Sequence, residues 1–427
     1  MKKKILLLLF AILIINSCSR DDSSGKTNFK MQPTTADYTG FPAAVQTVSG
    51  TITTSTTWTS DKVWELDGQV DVAPGAILTI QPGTFIKGKE GTVSALIVLR
   101  GAKINAVGTE QNPIVFTSYK LLDNNPSTTA FPGEFGGIIL LGNAPANVKK
   151  SIEGISSLDY KYKFGGDLGT NPADNSGILK YVRIEYAGYI LAEGNEINGL
   201  TCAGVGSGTT IDHIQVSYSK DDAFEFFGGT VNASSLIAFA PSDDGLDFDN
   251  GYTGTITDAV VIVDQNSIHS NSSGMPDSNG IELDNNAISE DPTFGLLPKT
   301  HPKLSNVSVY GINNSYDAAL YKYGARIRRG GEITLNNVVI TGFTQGLVFD
   351  VDTNAAWSAV NNSGFSGFTA AVTPTGSVNN TNVISNGQAN TFGAGNPFFD
   401  VLDFSGSNKG AFINENWITE DWIRFEF

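Results

Sequence analysis

The sequence has very few residues of the types that build disulfide frameworks and zinc sites. It contains 2 cysteines and 3 histidines in 427 residues. The histidines, His213, His269 and His301, are far apart and lack the paired spacing of zinc ligands. The cysteines, Cys18 and Cys202, could form at most one bridge, and Cys202 is expected to be a small buried apolar residue. The fold must therefore be stabilised by packing and backbone hydrogen bonds.

Basic residues are also scarce. There are 27 Lys and Arg against 43 Asp and Glu, which gives a formal net charge of −16. The first 17 residues contain Lys2, Lys3 and Lys4 and no acidic residue, so the rest of the chain is still more negative. This charge argues against nucleic acid or a bare anionic membrane as partner. It is compatible with a soluble surface domain and with cation binding.

Long apolar runs are absent except at the N-terminus. Ile5–Ile15 is too short to span a bilayer permanently, and the three lysines before it are typical of a signal peptide. Ile15-Asn16-Ser17-Cys18 follows and resembles the lipobox of bacterial lipoproteins. The resemblance implies that residues 1–17 are removed and that Cys18 carries lipid. An ordinary secretory signal with an incidental cysteine is the alternative.

The residues after Cys18 carry two further resemblances. Ser19, instead of Asp, favours the outer membrane over the inner membrane by comparison with other lipoproteins. Asp21-Asp22 resembles the surface-export signal of Bacteroidota-type lipoproteins. The implied location is the cell surface, with the membrane contacted through the lipid anchor alone and an outer-membrane transporter as a candidate partner.

The remaining chain is organised around two consecutive units of 22 residues, Gly208–Gly229 and Thr230–Gly251. Each unit holds two short alternating runs joined by an acidic corner, a pattern typical of strands and not of helices. A repeat this short cannot bury its own apolar face, so it must stack on its neighbours. The sequence therefore predicts an all-β fold, a right-handed parallel β-helix. We expect a tether at 18–45, the β-helix at 46–412 and an aromatic cap over its open end at 413–427.

Recurring segments support this period. One strand recurs with His213, Asp258, Asn306 or Asn337 in its third place, where Asn and Asp tolerate left-handed backbone and can form ladders. The other recurs as AFEFF, GLDFD, GIELD, GARIR and GLVFD, and the middle residues are 22 or 44 positions apart except for one interval of 35. Three ranges lose the pattern and are predicted to be loop excursions: 119–177, 265–278 and 351–400.

The first coils carry a family resemblance. LTIQPGTFIKG, followed by GAKINAVGTEQNPIVFTS, resembles the opening of right-handed parallel β-helix proteins of the pectin-lyase type. It is most similar to Bacteroidota-type surface lipoproteins of largely uncharacterised function. The resemblance implies the fold, and it leaves the activity open.

Strand alternation places charged side chains on the outer face of the second strand. Their columns and the preceding acidic corners supply the candidate metal ligands Asp221, Asp222, Glu225, Asp243, Asp244, Asp247 and Asp249. The candidate ligand-binding residues are Asp222, Asp244, Asp247, Glu282, Arg326 and Arg328. Like charges one rung apart repel by roughly 1–4 kcal/mol. Three interpretations stay open: the carboxylates splay into water, Arg326 and Arg328 pair with Glu282 and Asp284, or Ca²⁺ lies among them.

The same residues resemble an enzymatic branch of the fold. Polygalacturonase-type enzymes carry an Asp-Asp pair and a later Arg-Ile-Lys segment, and here Asp221-Asp222 or Asp243-Asp244 precedes Arg326-Ile327-Arg328. Paired carboxylates can act as acid and base at a glycosidic bond. The Gly-His-Gly and Asn-Thr-Asp motifs of those enzymes are missing, and no motif of calcium-dependent pectate lyases is complete. Catalytic residues are therefore not assigned.

Three functions are compatible with these residues. The first is a surface lipoprotein that binds an extended ligand, with polysaccharide as the expected partner. The second is a polysaccharide lyase or glycoside hydrolase, and the third is an adhesin or structural surface protein. The incomplete catalytic set favours binding, because fold alone does not decide function.

Overall fold

The computed structural model describes residues 38–192, 194–264, 278–311, 321–378, 410–412 and 417–424, together with the backbone of 271–272, 275–276 and 384–386. The described chain consists mainly of β-strands that are joined by turns, loops and single 3₁₀ turns. The strands up to the middle of the chain are β1 (Val45–Ile52), β2 (Thr56–Trp58), β3 (Val63–Val72), β4 (Ile77–Ile80), β5 (Phe85–Gly88), β6 (Ala95–Val98), β7 (Lys103–Val107), β8 (Ile114–Thr117), β9 (Gly137–Leu141), β10 (Lys149–Ser151), β11 (Lys163–Gly165), β12 (Gly177–Glu185), β13 (Tyr189–Ala192), β14 (Asn195–Ile197), β15 (Leu200–Ala203) and β16 (Thr210–Ser217).

The second half continues in the same way. Its strands are β17 (Phe224–Phe227), β18 (Asn232–Phe239), β19 (Leu246–Asp249), β20 (Thr255–Ile262), β21 (Asn271–Ser272), β22 (Met275–Pro276), β23 (Ser278–Leu283), β24 (Lys303–Tyr310), β25 (Tyr321–Ile327), β26 (Thr334–Thr341), β27 (Gln345–Phe349), β28 (Ala359–Asn361), β29 (Gly364–Ser366), β30 (Ala370–Thr373) and β31 (Ile384–Asn386). Single 3₁₀ turns lie at Tyr119–Leu122, Tyr160–Tyr162, Gly166–Leu168, Ala355–Trp357, Gly410–Phe412 and Trp417–Thr419. None of the helical turns in the described residues has the length and hydrophobicity needed to cross a bilayer.

Parallel pairing joins 25 strands into one coiled sheet. Three ladders run along it. Ladder 1 contains β2, β4, β7, β12, β16, β18, β20, β24, β26 and β28. Ladder 2 contains β1, β3, β5, β8, β12, β16, β18, β20, β24, β26, β29 and β31. Ladder 3 contains β1, β3, β6, β9, β15, β17, β19, β23, β25, β27 and β30. The prediction of a parallel β-helix is confirmed.

The long strands of ladders 1 and 2 bend at the position that the sequence marked. His213, Asp258, Asn306 and Asn337 have φ values of 57°, 58°, 55° and 56°, in the left-handed region. The Asn306 amide donates to Asp258 Oδ1 at 2.9 Å, and the Asn337 amide donates to Asn306 Oδ1 at 2.8 Å. Amide and carboxylate side chains tolerate this backbone and satisfy one another between coils. The predicted side-chain ladder is therefore present at the bend.

The interior of the coils is apolar and stacked. The core face predicted for ladder 3 includes Phe224, Phe226 and Phe248, all of which are fully buried. The rings of Phe226 and Phe248 stack with centroids 5.5 Å apart, and Tyr252 lies 4.8 Å from Phe226. Alternation in the strand sends the neighbouring charged residues outward. The same pattern that fills the core thus fixes the face that carries the charges.

Two predicted excursions contain regular coil strands. Within 119–177, β9 pairs with β6 and β15, so the excursion is divided into two insertions around one rung of ladder 3. Within 351–400, β28 to β31 also join the ladders. These strands are short, and the sequence distances to their ladder neighbours are irregular. The 22-residue period of the other coils therefore does not predict them. Of the excursion predicted at 265–278, Asn271–Ser272 and Met275–Pro276 pair as an antiparallel hairpin, and Ser278 already begins β23.

The aromatic C-terminal segment lies on the side of the helix and does not cover its end. We call residues 410–412 and 417–424 the C-terminal strap. Trp417, Ile418 and Trp422 are buried against the outer face of ladder 2, together with Tyr218 and Phe239. The prediction of an end cap is wrong for these described residues, because their side chains pack on the apolar outer face of ladder 2. Residues 413–416 and 425–427 lie outside the described residues.

The strap also meets the N-terminal end of the described chain. Gln215 donates through its amide to the carbonyl of Arg424 at 2.6 Å and accepts from the Arg424 N–H at 2.9 Å. The Arg424 guanidinium lies 4.2 Å from the centroid of the Tyr38 ring, and the Tyr38 hydroxyl donates to Glu185. Residues 38–44, the end of the predicted tether, therefore begin against the body of the molecule. The rest of the tether and Cys18 lie outside the described residues.

Candidate functional site

The predicted charged columns exist on the outer face of ladder 3. Register pairs Glu225 with Asp247, Asp247 with Glu282, Glu282 with Arg326 and Arg326 with Val348. We call this row the first column. The second column lies two residues further along each strand and contains Phe227, Asp249, Asp284, Arg328 and Asp350. The candidate residues are thus brought together by the stacking of coils.

Glycine permits this close stacking. Gly245, Gly280 and Gly324 lie on successive coils of ladder 3, each two residues before the first column. A Cβ atom on Gly245 would lie 2.7 Å from the carbonyl of Gly280, and one on Gly280 would lie 2.5 Å from the carbonyl of Gly324. No side chain fits at such a separation. The glycines therefore permit the close backbone approach of successive coils just before the charged rungs.

The acidic corners also stack, and the backbone of the next coil partly satisfies them. We call Asp221-Asp222 and Asp243-Asp244 the corner pairs. The N–H of Asp244 donates to Asp222 Oδ1 at 2.9 Å, and the N–H of Asn279 donates to Asp244 Oδ1 at 2.5 Å. Carboxylates that accept backbone hydrogen bonds are held in place. This arrangement fixes the orientation of one carboxylate oxygen in each corner pair, on Asp222 and on Asp244.

The carboxylates do not splay into water. Asp222, Asp244 and Glu225 are 7%, 4% and 4% exposed, and Glu282 is equally buried. The first interpretation of the sequence is therefore wrong. Insertions close over the outer face, where the strands alone would leave it open to solvent. Burial without compensation would be costly for this many charges, so the compensating groups matter.

Arginine compensates the C-terminal part of the columns. Arg328 pairs with Glu282 and, at 2.7 Å, with Asp284 Oδ1. Arg329, which the sequence analysis did not select, lies 2.5 Å from Asp284 Oδ2. Arg326 donates to Asp350 at 3.0 Å, one coil further on. The second interpretation is confirmed for Arg328.

The N-terminal part of the columns has the geometry of a cation site. One ligand atom each from Asp221, Asp222 and Asp243 lies within 4.8 Å of the others, and the same holds for Asp222, Glu225 and Asp247. Asp222 belongs to both triads. Calcium binds oxygen ligands at about 2.3–2.6 Å, so two ligands on opposite sides of one ion lie about 4.6–5.2 Å apart. The spacing and the donor set of each triad fit a hard divalent cation.

The carboxyl groups of this part of the molecule have raised pKa values. Burial raises the pKa of Asp222, and the nearby charges of Asp221 and Asp247 raise it further. Burial likewise raises the pKa of Glu225, with a further contribution from Glu153. The pKa of Asp249 is raised by burial to about 7. In each case burial is the largest cause, and repulsion from the neighbouring carboxylates adds to it.

Several residues next to the charged columns come from insertions, and the sequence pattern did not predict that they belong to the site. Glu153 follows β10, and burial raises its pKa to about 7. Asn198 donates to Glu225. Lys150 reaches over the Phe227 ring at 5.2 Å and lies 3.4 Å from Glu290. Their sequence positions carry no trace of the coil period, so only the fold reveals their proximity to the columns.

The comparison with protein families agrees with this architecture. A family model described as a pectate-lyase-like β-helix domain matches residues 50–417. No curated protein sequence matches the chain. A crystal structure of full-length tailspike protein 2 from Escherichia coli O157:H7 bacteriophage CAB120 is similar at 13% sequence identity with a TM-score of 0.29. That alignment covers 72% of this chain and 39% of the tailspike, so the chain spans well under half of the tailspike's length.

Proposed function

Because the chain belongs to the pectate-lyase-like β-helix domain family, we propose that it is a polysaccharide-binding surface lipoprotein that holds calcium on ladder 3. The observation that carries the proposal is the pair of carboxylate triads that share Asp222. A cation there would neutralise buried like charges that otherwise oppose one another. The row of arginines beside it adds donors that can bind carboxylate groups of a polymer.

The metal would be held chiefly by Asp221, Asp222, Glu225, Asp243 and Asp247. Asp243 and Asp247 are only partly buried, which would let an oxygen of a bound sugar complete the coordination. Asp244 accepts a backbone hydrogen bond from the next coil, and we assign it a supporting role. The ion would supply charge neutralisation and a bridge to an acidic ligand.

Among the candidate ligand-binding residues, the buried and the accessible ones would act differently. Glu282 is held by Arg328 and would fix the position of the guanidinium. The side chains of Arg326 and Arg329 are 20% and 37% exposed, so they are the donors that a ligand could reach. This division favours an acidic polysaccharide, whose carboxylates would approach both the ion and the exposed guanidinium edges.

Binding without turnover is the expected result of a polysaccharide assay. Immobilised protein should retain polygalacturonate in calcium, with no new reducing ends and no absorbance from unsaturated uronate products. Replacing Arg326 and Arg329 with alanine should weaken retention about tenfold, because exposed bidentate donors are lost. The matched control is Lys62→Gln, far from ladder 3's charged columns. Unsaturated products that disappear in the double variant would instead assign a lyase.

The surface location is part of the same proposal and has its own test. Cys18 would carry lipid and residues 1–17 would be removed, so Cys18→Ala should move the protein from the membrane fraction to the soluble fraction. Stable membrane anchoring needs more than one acyl chain, and Cys18→Ala would remove every chain attached at that residue. The shift of the protein to the soluble fraction should therefore be nearly complete. Membrane fractionation that is the same for Cys18→Ala and the unaltered chain would contradict lipidation. An outer-membrane transporter is the candidate partner at that surface.

A further inference from the structure

An exposed aromatic ring with two cations lies on the insertion between β9 and β12. The Tyr160 ring is 54% exposed. The guanidinium carbon of Arg100 lies 5.2 Å from its centroid, and Lys149 Nζ lies 5.3 Å from it. Leu158, which is 81% exposed, adds an apolar side chain two residues before Tyr160. We call Arg100, Lys149 and Tyr160 the cationic platform.

The insertion is anchored firmly enough to present this ring. Its strands β10 and β11 pair in antiparallel register. Tyr162 and Phe164 are buried against the outer face of ladder 3 next to Ile139. Lys161 Nζ lies 2.7 Å from Asp71 Oδ2, and the Tyr162 hydroxyl donates to the same oxygen at 3.1 Å. These contacts on both sides of the turn hold Tyr160 in a defined position before any ligand arrives.

The positive charge of the platform is only weakly committed to the protein. Arg100 has no carboxylate within ion-pairing distance among the described residues, and it donates to the backbone carbonyl of Tyr160 at 3.2 Å. Lys149 pairs with Asp167 at 2.6 Å, but the Asp167 side chain is 72% exposed. Exposed ion pairs contribute little to stability and exchange easily for another anion. Both cations can therefore serve a bound carboxylate.

A half-exposed ring with two cations lying over it is suited to a sugar that carries a carboxylate. Such a sugar presents an apolar ring face that can cover the aromatic ring, and its carboxylate can accept bonds from a guanidinium. The chain as a whole, with a net charge of −16, would repel the same group. At the platform, by contrast, Arg100 and Lys149 would attract an anionic sugar at short range.

The platform also lies in line with the charged columns. Arg100 follows β6, and the ladder continues through β9, β15 and β17 to β19, which carries Asp247. Four rungs at about 4.8 Å correspond to roughly 19 Å. A polymer of a few sugar units, lying parallel to the axis, could contact both places. The columns would hold it through the cation, and the platform would hold it directly.

We propose that Arg100, Lys149 and Tyr160 form a subsite for a uronate-type sugar of an acidic polysaccharide. This inference rests on the proposed polysaccharide-binding function and names a second contact point and its ligand class. It predicts that part of the binding of polygalacturonate persists in a chelator, because the platform uses no metal. It also predicts that a neutral polymer such as dextran gains little from the platform.

The test compares binding of polygalacturonate and dextran by the full mature chain and three variants. Tyr160→Ala and Arg100→Gln should each weaken polygalacturonate binding at least fivefold, in calcium and in chelator, and should leave the thermal midpoint unchanged. Trp357→Ala is the matched control, because Trp357 is also 54% exposed and lies in another part of the chain. It should bind polygalacturonate as the unaltered chain does.

The outcomes separate this inference from the function on which it rests. If the unaltered chain binds polygalacturonate and both platform variants bind it equally well, the subsite is refuted while the proposed function stands. If the unaltered chain binds no polygalacturonate, both proposals are refuted. Equal losses in Tyr160→Ala and Trp357→Ala would also overturn the subsite, because the effect would then not depend on the platform.

Discussion

Adding calcium to chelator-treated protein should raise the thermal midpoint by about 3 °C, and Asp222→Asn should remove that rise. A ligand at about 100 times its dissociation constant stabilises the folded state by roughly 2.7 kcal/mol, which corresponds to a few degrees for a chain of this size. Asp222 takes part in both triads, so its replacement disrupts each of them. The asparagine oxygen can still accept the hydrogen bond from the Asp244 N–H. The loss should therefore be specific to the metal.

The variant makes an opposite prediction without calcium. Removing one charge next to Asp221 and Asp247 relieves repulsion, so chelator-treated Asp222→Asn should be at least as stable as the unaltered chain. Asp212→Asn is the control, because Asp212 pairs with Lys180 on ladder 1 at 2.7 Å, away from both triads. It should lower the midpoint under both conditions and keep the calcium shift. A shift of the same size in Asp222→Asn would contradict the assigned ligands.

The second large effect concerns the C-terminal strap. Trp422→Ala should lower the free energy of unfolding by about 3–5 kcal/mol, the usual cost of removing a fully buried tryptophan side chain. The ring packs against Tyr181 and His213, and its carbonyl accepts a hydrogen bond from Arg183 at 3.2 Å. Deleting residues 410–427 should be more severe, because it exposes the apolar outer face of ladder 2 and promotes aggregation.

Urea unfolding followed by tryptophan fluorescence and far-UV circular dichroism would measure the effect of Trp422→Ala. Trp357→Ala is the comparison, because this half-exposed side chain should cost less than about 0.5 kcal/mol. If both variants unfold at the same urea concentration, the strap contributes nothing to the stability of the coils. A truncated chain that stays monomeric at the concentration of the full chain would contradict the covering role in the same way.

The coils and columns could be predicted from sequence because a parallel β-helix converts sequence spacing into spatial register. A spacing of 22 residues between Glu225 and Asp247 means direct pairing in the structure. The left-handed bends could be predicted for a related reason, since Asn306 and Asn337 each occupy the one place per coil where such a residue is favoured. Both inferences needed only local chemistry and a period.

The insertions could not be predicted in this way. Glu153 and Tyr160 lie in a segment without a period, and their positions depend on which apolar side chains pack on ladder 3. The strap illustrates a different difficulty. Its aromatic residues correctly indicated that it covers apolar surface. The choice between the end and the side depended on the outer face of ladder 2, where Tyr218 and Phe239 already form an apolar strip.

The division of the columns gives the calcium proposal its physical basis. Glu282 and Asp284 are neutralised by arginine, at short distance and in defined geometry. The triads around Asp222 lie one to two coils earlier on the same ladder, where Arg328 and Arg329 act on Asp247 only as nearby charges. At the other end, Lys150 is the nearby cation for Glu225 and Asp249. The carboxylates there outnumber this single positive charge, and this imbalance is the basis of the proposed external cation.

Equilibrium titration of chelator-treated protein with calcium tests this claim most directly. We expect saturable binding of at least one calcium ion per chain. We also expect that Asp222→Asn abolishes this binding and that Asp212→Asn leaves its stoichiometry unchanged. Absence of saturable binding to the unaltered chain at millimolar calcium, or undiminished binding to Asp222→Asn, would contradict the claim.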